Sequence, residues 1–222
     1  MKLSEHTVEV LKNFATINQN LVIKEGNTLT TMSAMKNIVA KAKVEESFEK
    51  EVAIYDLNEF LASLSLFKSP VLEFDEGFVT IKEENTTTHL KYFYSDPSVV
   101  TTPSKPIKMP SKEVTFSLKG EDLTKLKRAA GVIGAPDLVL EKKDTGSFLT
   151  VKDKKNDTAN TFSLDVTTTS EGNFNCFFTV ENLKVMDGNY DVEISSKNIS
   201  HLASSNKDVE YWVALEPEST YE

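Results

Sequence analysis

The sequence predicts an α+β fold made of two similar halves. Each half reads as a helix, several strands, a second helix and further strands. Apolar residues at spacings of three and four indicate the helices, and alternation of apolar and polar residues indicates the strands. A strand-like run passes directly into a helical pattern three times, at residues 51–61, 113–126 and 175–186. This recurrence indicates that one helix-plus-strands unit is used repeatedly.

Composition is that of a globular protein with a large core. The 222 residues are enough for one large domain or two of roughly 110 residues. With 39% hydrophobic residues and 13 Phe, the chain does not have the composition of a disordered protein. The single cysteine, Cys176, precludes an intramolecular disulfide and fits a reducing cytoplasm. Because there is no signal peptide and no apolar run of about 18 residues, we expect no membrane span and no membrane partner.

A proline-rich segment divides the chain. Residues 95–111 hold four of the seven prolines, namely Pro97, Pro103, Pro106 and Pro110. Prolines at this density block helices and central strands and favour an extended connector. The prediction is therefore an N-terminal domain over 1–94, an interdomain connector over 95–111 and a C-terminal domain over 112–222.

In the first half, capping residues mark the start of both predicted helices. Ser4 precedes the first helix, and Asp56, followed three residues later by Glu59, precedes the second. The predicted apolar stripe of the first helix comprises Thr7, Val8, Leu11, Phe14 and Ala15. That of the second comprises Leu57, Phe60, Leu61, Leu64 and Phe67. Alternating runs on either side of the second helix predict the strands of this half.

The second half opens with a strand over 113–119 that runs into a helix over 120–133. The apolar stripe of that helix comprises Leu123, Leu126, Ala130 and Ile133. Glu121, Lys125 and Arg128 project from the opposite side, with Lys127 on the flank. On an isolated helix such a polar face is usually only a solvated surface. Where several helices lie together to form one surface, a functional role for these residues is better supported. A last helix is predicted over 180–186.

Four separated segments carry a family resemblance. They read MKLSEHTVEVLKNFATIN (1–18), VAIYDLNEFLASLSL (52–66), DPSVVTTPSKPI (96–107) and YWVALEPEST (211–220). In this order they resemble the DNA polymerase sliding clamp of T-even-type bacteriophages. Four segments matching in order are far more specific than any single motif in the chain, whereas the middle of each half matches mainly in pattern.

The resemblance implies a sliding-clamp fold, in which two similar domains each have two helices packed on antiparallel β-sheet. Three such subunits close head to tail into a ring whose helices line a central hole. It also implies a protein that is not an enzyme, uses no cofactor, encircles double-stranded DNA and tethers the phage replicative DNA polymerase for processive synthesis. The net charge of −9 fits this role only if positive charge is concentrated in the hole.

The same resemblance implies further partners and a location. An ATP-dependent clamp loader would load the ring onto DNA. The loaded clamp would also activate phage late transcription, with sigma-like and coactivator subunits on host RNA polymerase. The expected location is the cytoplasm of the infected bacterial host.

The sequence pattern and the family resemblance together predict three sets of site residues. The residues expected to face DNA are Lys2, Lys12, Lys119, Lys125, Lys127, Arg128 and Lys184. Lys125 and Arg128 are the best placed of these, because Glu9 and a second helix without lysine or arginine weaken the basic lining of the first half. The connector residues Val99, Val100, Ile107 and Met109 form a groove for apolar peptide tails or fix the connector to its own domains. Subunits are expected to pair through two edge strands, one carrying Leu90 and Tyr92 and the other Phe162 and Leu164.

No catalytic pattern competes with this interpretation. His6, His89 and His201 are scattered without neighbouring ligands, and the chain has no phosphate-binding loop or nucleophile elbow. Cys176 lies in an apolar run and is expected in the core. Two alternatives stay open: a non-catalytic β-rich assembly or binding module without DNA encirclement, and an enzyme on a sandwich or barrel for which no residue set is apparent.

Overall fold

The chain folds into two compact units. In the computed structural model, which describes residues 1–103, 105–170 and 172–222, these units span Met1–Lys105 and Pro106–Glu222. The division falls within the proline-rich segment 95–111. Each unit combines helix with antiparallel strands, as the α+β prediction requires.

Two helices form in the first unit where capping residues predict them. Helix α1 spans Glu5–Ile17 and α2 spans Leu57–Ser65. The Ser4 hydroxyl accepts a hydrogen bond from Thr7 N at 3.2 Å, and the Asp56 carboxylate accepts from two backbone N–H groups of α2 at 2.9 and 3.0 Å. These side chains satisfy donors that the first turn of a helix leaves unpaired.

The buried stripe of α1 is rotated slightly from the predicted one. It comprises Thr7, Val10, Leu11, Phe14 and Ile17. Val8 and Ala15, which the pattern included, are half-buried. The stripe of α2 agrees better, since Leu57, Phe60 and Leu64 are buried. A helix of 3.6 residues per turn carries a broad apolar face, so its centre is fixed by the sheet beneath rather than by spacing alone.

In the described part of the first unit, seven strands accompany the helices. They are β1 Leu21–Ile23, β2 Gly26–Met32, β3 Ile38–Phe48, β4 Val52–Ile54, β5 Pro70–Phe74, β6 Phe78–Glu83 and β7 His89–Phe93. β1 pairs with β4 and β2 with β3, while β5, β6 and β7 form a sheet in that order, all antiparallel. Strand β7 therefore lies at a sheet edge.

A side chain on strand β3 also accepts hydrogen bonds at the start of α1. The Glu46 carboxylate on β3 accepts hydrogen bonds from Ser4 N and the Thr7 hydroxyl. Partial burial raises the pKa of Glu46, but these hydrogen bonds outweigh burial and hold the pKa below its ordinary value of 4.5. The ionised form of Glu46 therefore stabilises the junction of α1 and β3.

The second unit contains α3, Gly120–Ile133, and two sets of antiparallel strands. The strands are β8 Val114–Leu118, β9 Asp137–Lys143, β10 Gly146–Lys152, β11 Phe162–Val166, β12 Phe174–Thr179, β13 Tyr190–Ser195, β14 Ile199–Ser204, β15 Val209–Ala214 and β16 Thr220–Tyr221. One sheet has the order β11-β10-β9-β12-β16, which places β11 at an edge. The other strands pair in the order β15-β14-β13-β8.

The predicted last helix over 180–186 is wrong. Only a single 3₁₀ turn, Val180–Asn182, forms there, and the chain leaves helical geometry at Leu183 with φ −82° and ψ 53°. A β-branched residue and an asparagine have low helix propensity, and this described turn has no side-chain cap. Leu183, Val185 and Met186 are buried, so tertiary packing fixes this segment in an irregular path.

Helices pack on strands of their own unit. α1 lies against α2 and β3, and α3 lies against β10 and β11. Leu11 and Phe14 of α1 and Leu126 of α3 are almost completely buried in these contacts. No helix in the described ranges is long and apolar enough to cross a membrane.

Candidate functional site

Helix α3 presents the most concentrated basic surface among the predicted site residues. Its inner side buries Leu123, Leu126 and Ala130, which fixes the rotation of the helix about its axis. Lys125 and Arg128 consequently lie on the exposed side, one turn apart. Arg128 is the only arginine in the chain. A guanidinium beside an ammonium at this spacing can contact successive phosphates of a nucleic-acid backbone.

The local electrostatics of this surface are mixed. Lys125 Nζ lies 3.6 Å from Asp122 Oδ1, and the lysine side chain is 56% exposed. An exposed pair of this kind is weak, so Lys125 remains available to an anionic partner. Glu121 is exposed in the first turn of α3, where a carboxylate interacts favourably with the helix N-terminus. The positive charge is therefore greatest in the middle of the helix.

The start of α3 is held by a close backbone approach. Gly120 N donates a hydrogen bond to Asn189 Oδ1 at 2.8 Å. A Cβ atom at Gly120 would lie 2.9 Å from the carbonyl oxygen of Gly188 and 3.0 Å from its carbonyl carbon. The absence of a side chain at Gly120 therefore lets α3 begin directly against the turn that precedes β13.

Lys127, on the flank of α3, contacts another segment of its own unit. It is half-buried, and its Nζ donates a hydrogen bond to Val185 O at 3.2 Å. Burial lowers the pKa of Lys127, and the negative charge of Asp187 partly offsets this. Lys127 thus attaches α3 to the segment after the 3₁₀ turn, and its ammonium is engaged within the unit.

The other predicted DNA-facing lysines are dispersed. Lys12 is exposed on α1, and Lys119 is exposed at the residue before α3. Lys2 is exposed as well, but its Nζ lies 2.6 Å from Glu84 Oε2. Lys184 is half-buried in the irregular segment. The sequence of α2 contains no lysine or arginine, as noted from the pattern, so the first unit offers few cations on its helices.

The four connector residues divide by burial. Val100 is 7% exposed and packs with Val22 and Ala53, which is the anchoring role that the sequence left open. Val99 is 58% exposed at the end of a 3₁₀ turn, Pro97–Val99. Ile107 and Met109, in the second unit, are half-buried. Val99 is therefore the member of this set most accessible to an apolar partner.

The predicted subunit-interface residues occupy two sheet edges. Leu90 on β7 is half-buried, whereas Tyr92 is buried, with its ring edge-on to Phe60 at 5.3 Å between centroids. The Tyr92 hydroxyl donates a hydrogen bond to Asp56 O at 3.0 Å, so it fixes β7 to α2. Phe162 and Leu164 on β11 are half-buried.

A groove accompanies each of these edges. One of about 490 Å³ lies beside β7 and is lined in part by Asp56, Glu59 and Leu90. Another, of about 710 Å³, lies beside β11 and is lined in part by Lys119 and Leu164. Each edge strand is thus flanked by a concave surface.

Two family descriptions match the chain in succession. "DNA polymerase processivity factor" matches residues 2–102, and "gp45 sliding clamp, C terminal" matches residues 115–217. The sliding clamp of Vibrio phage KVP40 is 34% identical over 222 residues, which cover 97% of this chain and 99% of that protein. The chain belongs to the phage sliding clamp family. The sliding clamps of Escherichia phage RB69 and Enterobacteria phage T4 are 30% and 31% identical, each with full coverage of both chains.

Solved structures agree on the fold. The structure described as "C-terminal region of FEN-1 bound to A. fulgidus PCNA" superposes with a TM-score of 0.68 and 96% coverage of both chains. PCNA from Entamoeba histolytica gives a TM-score of 0.66 with 95% coverage of both chains. At 15% and 13% sequence identity these similarities concern the fold alone. The sliding-clamp fold predicted from the sequence is confirmed.

Sequence reasoning did not identify the attachment of α3. Lys127, Gly120 and Asn189 have their effect through contacts with residues more than 50 positions away. A glycine at the first position of a helix was the available signal for a close backbone approach. Nothing in the local sequence indicated Val185 as the acceptor for Lys127.

Proposed function

We propose that three copies of this chain close head to tail into a ring around duplex DNA and tether the phage replicative DNA polymerase to its template. Membership of the phage sliding clamp family across both halves of the chain carries this proposal. The unpaired edges of β7 and β11 supply two different surfaces, as a head-to-tail contact needs. Such a contact closes a ring when the rotation between neighbours completes a circle.

The subunit contact is proposed at the predicted residues. Leu90 on one edge and Phe162 and Leu164 on the other are half-buried, and Leu90 and Leu164 line the grooves beside their strands. Pairing of β7 with β11 of the next copy would satisfy both rows of backbone groups and cover these side chains. Tyr92 would support the contact from within its own unit by fixing β7 to α2.

A chain of net charge −9 can hold DNA if its cations are concentrated on one surface. Lys125 and Arg128 on α3 form the core of the proposed DNA-facing set, with Lys12, Lys119, Lys2 and Lys184 contributing less. In a trimer each would occur three times. Contacts of this kind go to phosphates, carry no sequence information and weaken with salt, so the ring can slide.

The ring itself would perform no chemical step. Its contribution is topological, because a closed ring cannot leave DNA by simple dissociation and so keeps an attached polymerase near the primer end. We place the peptide tails of the polymerase and other partners on the connector residues, foremost the exposed Val99, with Ile107 and Met109 as further members.

The remaining roles rest on membership of the family. An ATP-dependent loader would open the ring, because the proposed ring has to be opened to admit DNA. The loaded ring would also serve phage late transcription, with sigma-like and coactivator subunits on host RNA polymerase. All of these steps take place in the cytoplasm of the infected bacterium.

Reversal of the α3 charges tests the proposed function. We expect Lys125→Glu with Arg128→Glu to reduce the length of DNA synthesised per polymerase binding event, because two phosphate contacts per subunit become repulsive. The native mass should not change, since both side chains are exposed. Lys24→Glu with Lys197→Glu is the matched control, as it changes the net charge equally at exposed positions outside the helices.

The same experiment separates the proposal from its main alternative. An assembly module without DNA encirclement would respond equally, or not at all, to the two double variants. Equal processivity of the α3 variant and the wild type would therefore overturn the assignment of Lys125 and Arg128.

A further inference from the structure

The backbone of β7 restricts how a neighbouring strand can pair with it. Tyr94 N donates to Gly77 O at 3.1 Å, and Thr88 O accepts from Glu83 N at 3.2 Å. Backbone direction alternates along an antiparallel ladder, so the even-numbered residues of β7 face β6. The N–H and C=O groups of His89, Lys91 and Phe93 consequently point out of the free edge.

The same reasoning orients β11. Val180 N donates to Pro136 O at 2.8 Å at the end of the ladder between β9 and β12. The even-numbered residues of β9 therefore hydrogen-bond to β12, and its odd-numbered residues hydrogen-bond to β10. The registers of β9 with β10 and of β10 with β11 then place the backbone groups of the even-numbered β11 residues against β10. Ser163 and Asp165 therefore present their backbone groups at the free edge.

Side-chain burial gives the same division independently. On β7, His89, Lys91 and Phe93 are exposed, whereas Leu90 and Tyr92 turn inward. On β11, Ser163 and Asp165 are exposed, and their neighbours are half-buried. Residues opposite each other in an antiparallel pair share one face of the sheet. Backbone direction and side-chain burial therefore both require odd-numbered residues of β7 to lie opposite odd-numbered residues of β11.

Two registers that meet this requirement pair four residues of each strand, and they place His89 or Lys91 opposite Asp165. The next registers in either direction, with His89 opposite Ser163 or Phe93 opposite Asp165, pair only two residues of each strand. A lysine ammonium is fully charged near neutral pH, whereas an imidazole is generally only partly protonated there. Asp165 has no ion-pair partner among the described residues, so its carboxylate is available.

We propose that β7 of one subunit pairs antiparallel with β11 of the next in the register that sets Lys91 opposite Asp165. This inference rests on the proposed ring, whose closing partner is a second copy of this chain. In this register Leu90 lies opposite Val166 and Tyr92 opposite Leu164 on the inward face. Lys91 Nζ is already held 4.4 Å from the centre of the Phe78 ring, on the face where Asp165 would arrive.

Paired cysteines distinguish the registers directly. Leu90→Cys with Val166→Cys should form an intersubunit disulfide, because directly opposite residues lie within the Cα separation that a disulfide tolerates. Leu90→Cys with Leu164→Cys should not, since those residues are diagonal neighbours in the proposed register. Burial raises the pKa of the Cys176 thiol to about 11, so the native cysteine will not compete. The readout is a covalent trimer on a non-reducing gel, with native mass measured in parallel under reducing conditions.

The possible outcomes distinguish failure of the proposed register from failure of the proposed ring. Cross-linking of the Leu164 pair in place of the Val166 pair, with a trimeric mass, would overturn the register and keep the ring. A trimeric mass without cross-linking of either pair would likewise overturn the register. A single-chain mass for the wild type would overturn the register together with the proposed function.

Charge exchange provides a second measurement in case a cysteine variant folds poorly. Lys91→Glu should weaken subunit association about tenfold, because an attractive cross-strand pair becomes repulsive. Lys91→Glu combined with Asp165→Lys should restore it. His89→Glu is the matched control and should have little effect. Loss of association with His89→Glu but not with Lys91→Glu would contradict the proposal.

Discussion

Alanine at Gly120 should destabilise the second unit, whereas alanine at Gly131 of the same helix should stabilise it. An added Cβ at Gly120 meets Gly188 backbone atoms at 2.9, 3.0 and 3.3 Å, so one of the two segments has to move. Overpacking of this kind costs about 1–3 kcal/mol, partly offset by the roughly 1 kcal/mol by which alanine exceeds glycine in helix propensity. The expected net loss is up to about 2 kcal/mol.

Gly131 provides the matched control. A Cβ there has no atom within 4 Å, and the position is exposed in the body of α3. Alanine should therefore raise the free energy of unfolding by about 0.5–1 kcal/mol. Thermal unfolding followed by circular dichroism, at one fixed protein concentration because assembly raises the apparent midpoint, measures both. We expect a fall of up to roughly 8 °C for Gly120→Ala and a small rise for Gly131→Ala. Equal midpoints would refute the close-approach argument.

Three further predictions concern single groups. Glu46→Gln should lower the thermal midpoint at pH 7; since the pKa of Glu46 lies below 4.5 in the folded chain, the difference from wild type should shrink as pH falls below that value. Val100→Ala should lower the free energy of unfolding by about 2 kcal/mol in urea titrations, whereas Val99→Ala should leave it unchanged and instead weaken binding of the polymerase tail in calorimetry. For Lys125→Glu with Arg128→Glu, the salt dependence of DNA association should be shallower than for wild type, as counterion-release titrations would show. A pH-independent effect at Glu46, a stability loss at Val99 or an unchanged salt slope would each contradict its prediction.

Features encoded by neighbouring residues were predictable from the sequence. The caps at Ser4 and Asp56 were predictable because each capping oxygen lies within three residues of the N–H that donates to it. The choice of β7 and β11 as edge strands came from the family resemblance instead, and both lie at sheet edges. The fold class followed from the order of helical and alternating patterns together with the family resemblance.

Features that depend on distant contacts were not predictable. The segment over 180–186 has a helical spacing of apolar residues, yet tertiary contacts bury Val185 and Met186 in an irregular path. The sequence places Lys127 beside the exposed face of a helix, but the carbonyl that accepts its hydrogen bond lies 58 positions along the chain. Val100 was assigned two possible roles because only the packed structure shows Val22 and Ala53 beneath it.

The native mass of the protein over a dilution series tests the central claim most directly. Sedimentation or light scattering should detect a species of about 74 kDa, three times the 24.8 kDa chain, and no larger species that grows with concentration. Dissociation on dilution agrees with a ring held by modest strand contacts. A mass of one or two chains at the highest concentration would contradict the proposed ring.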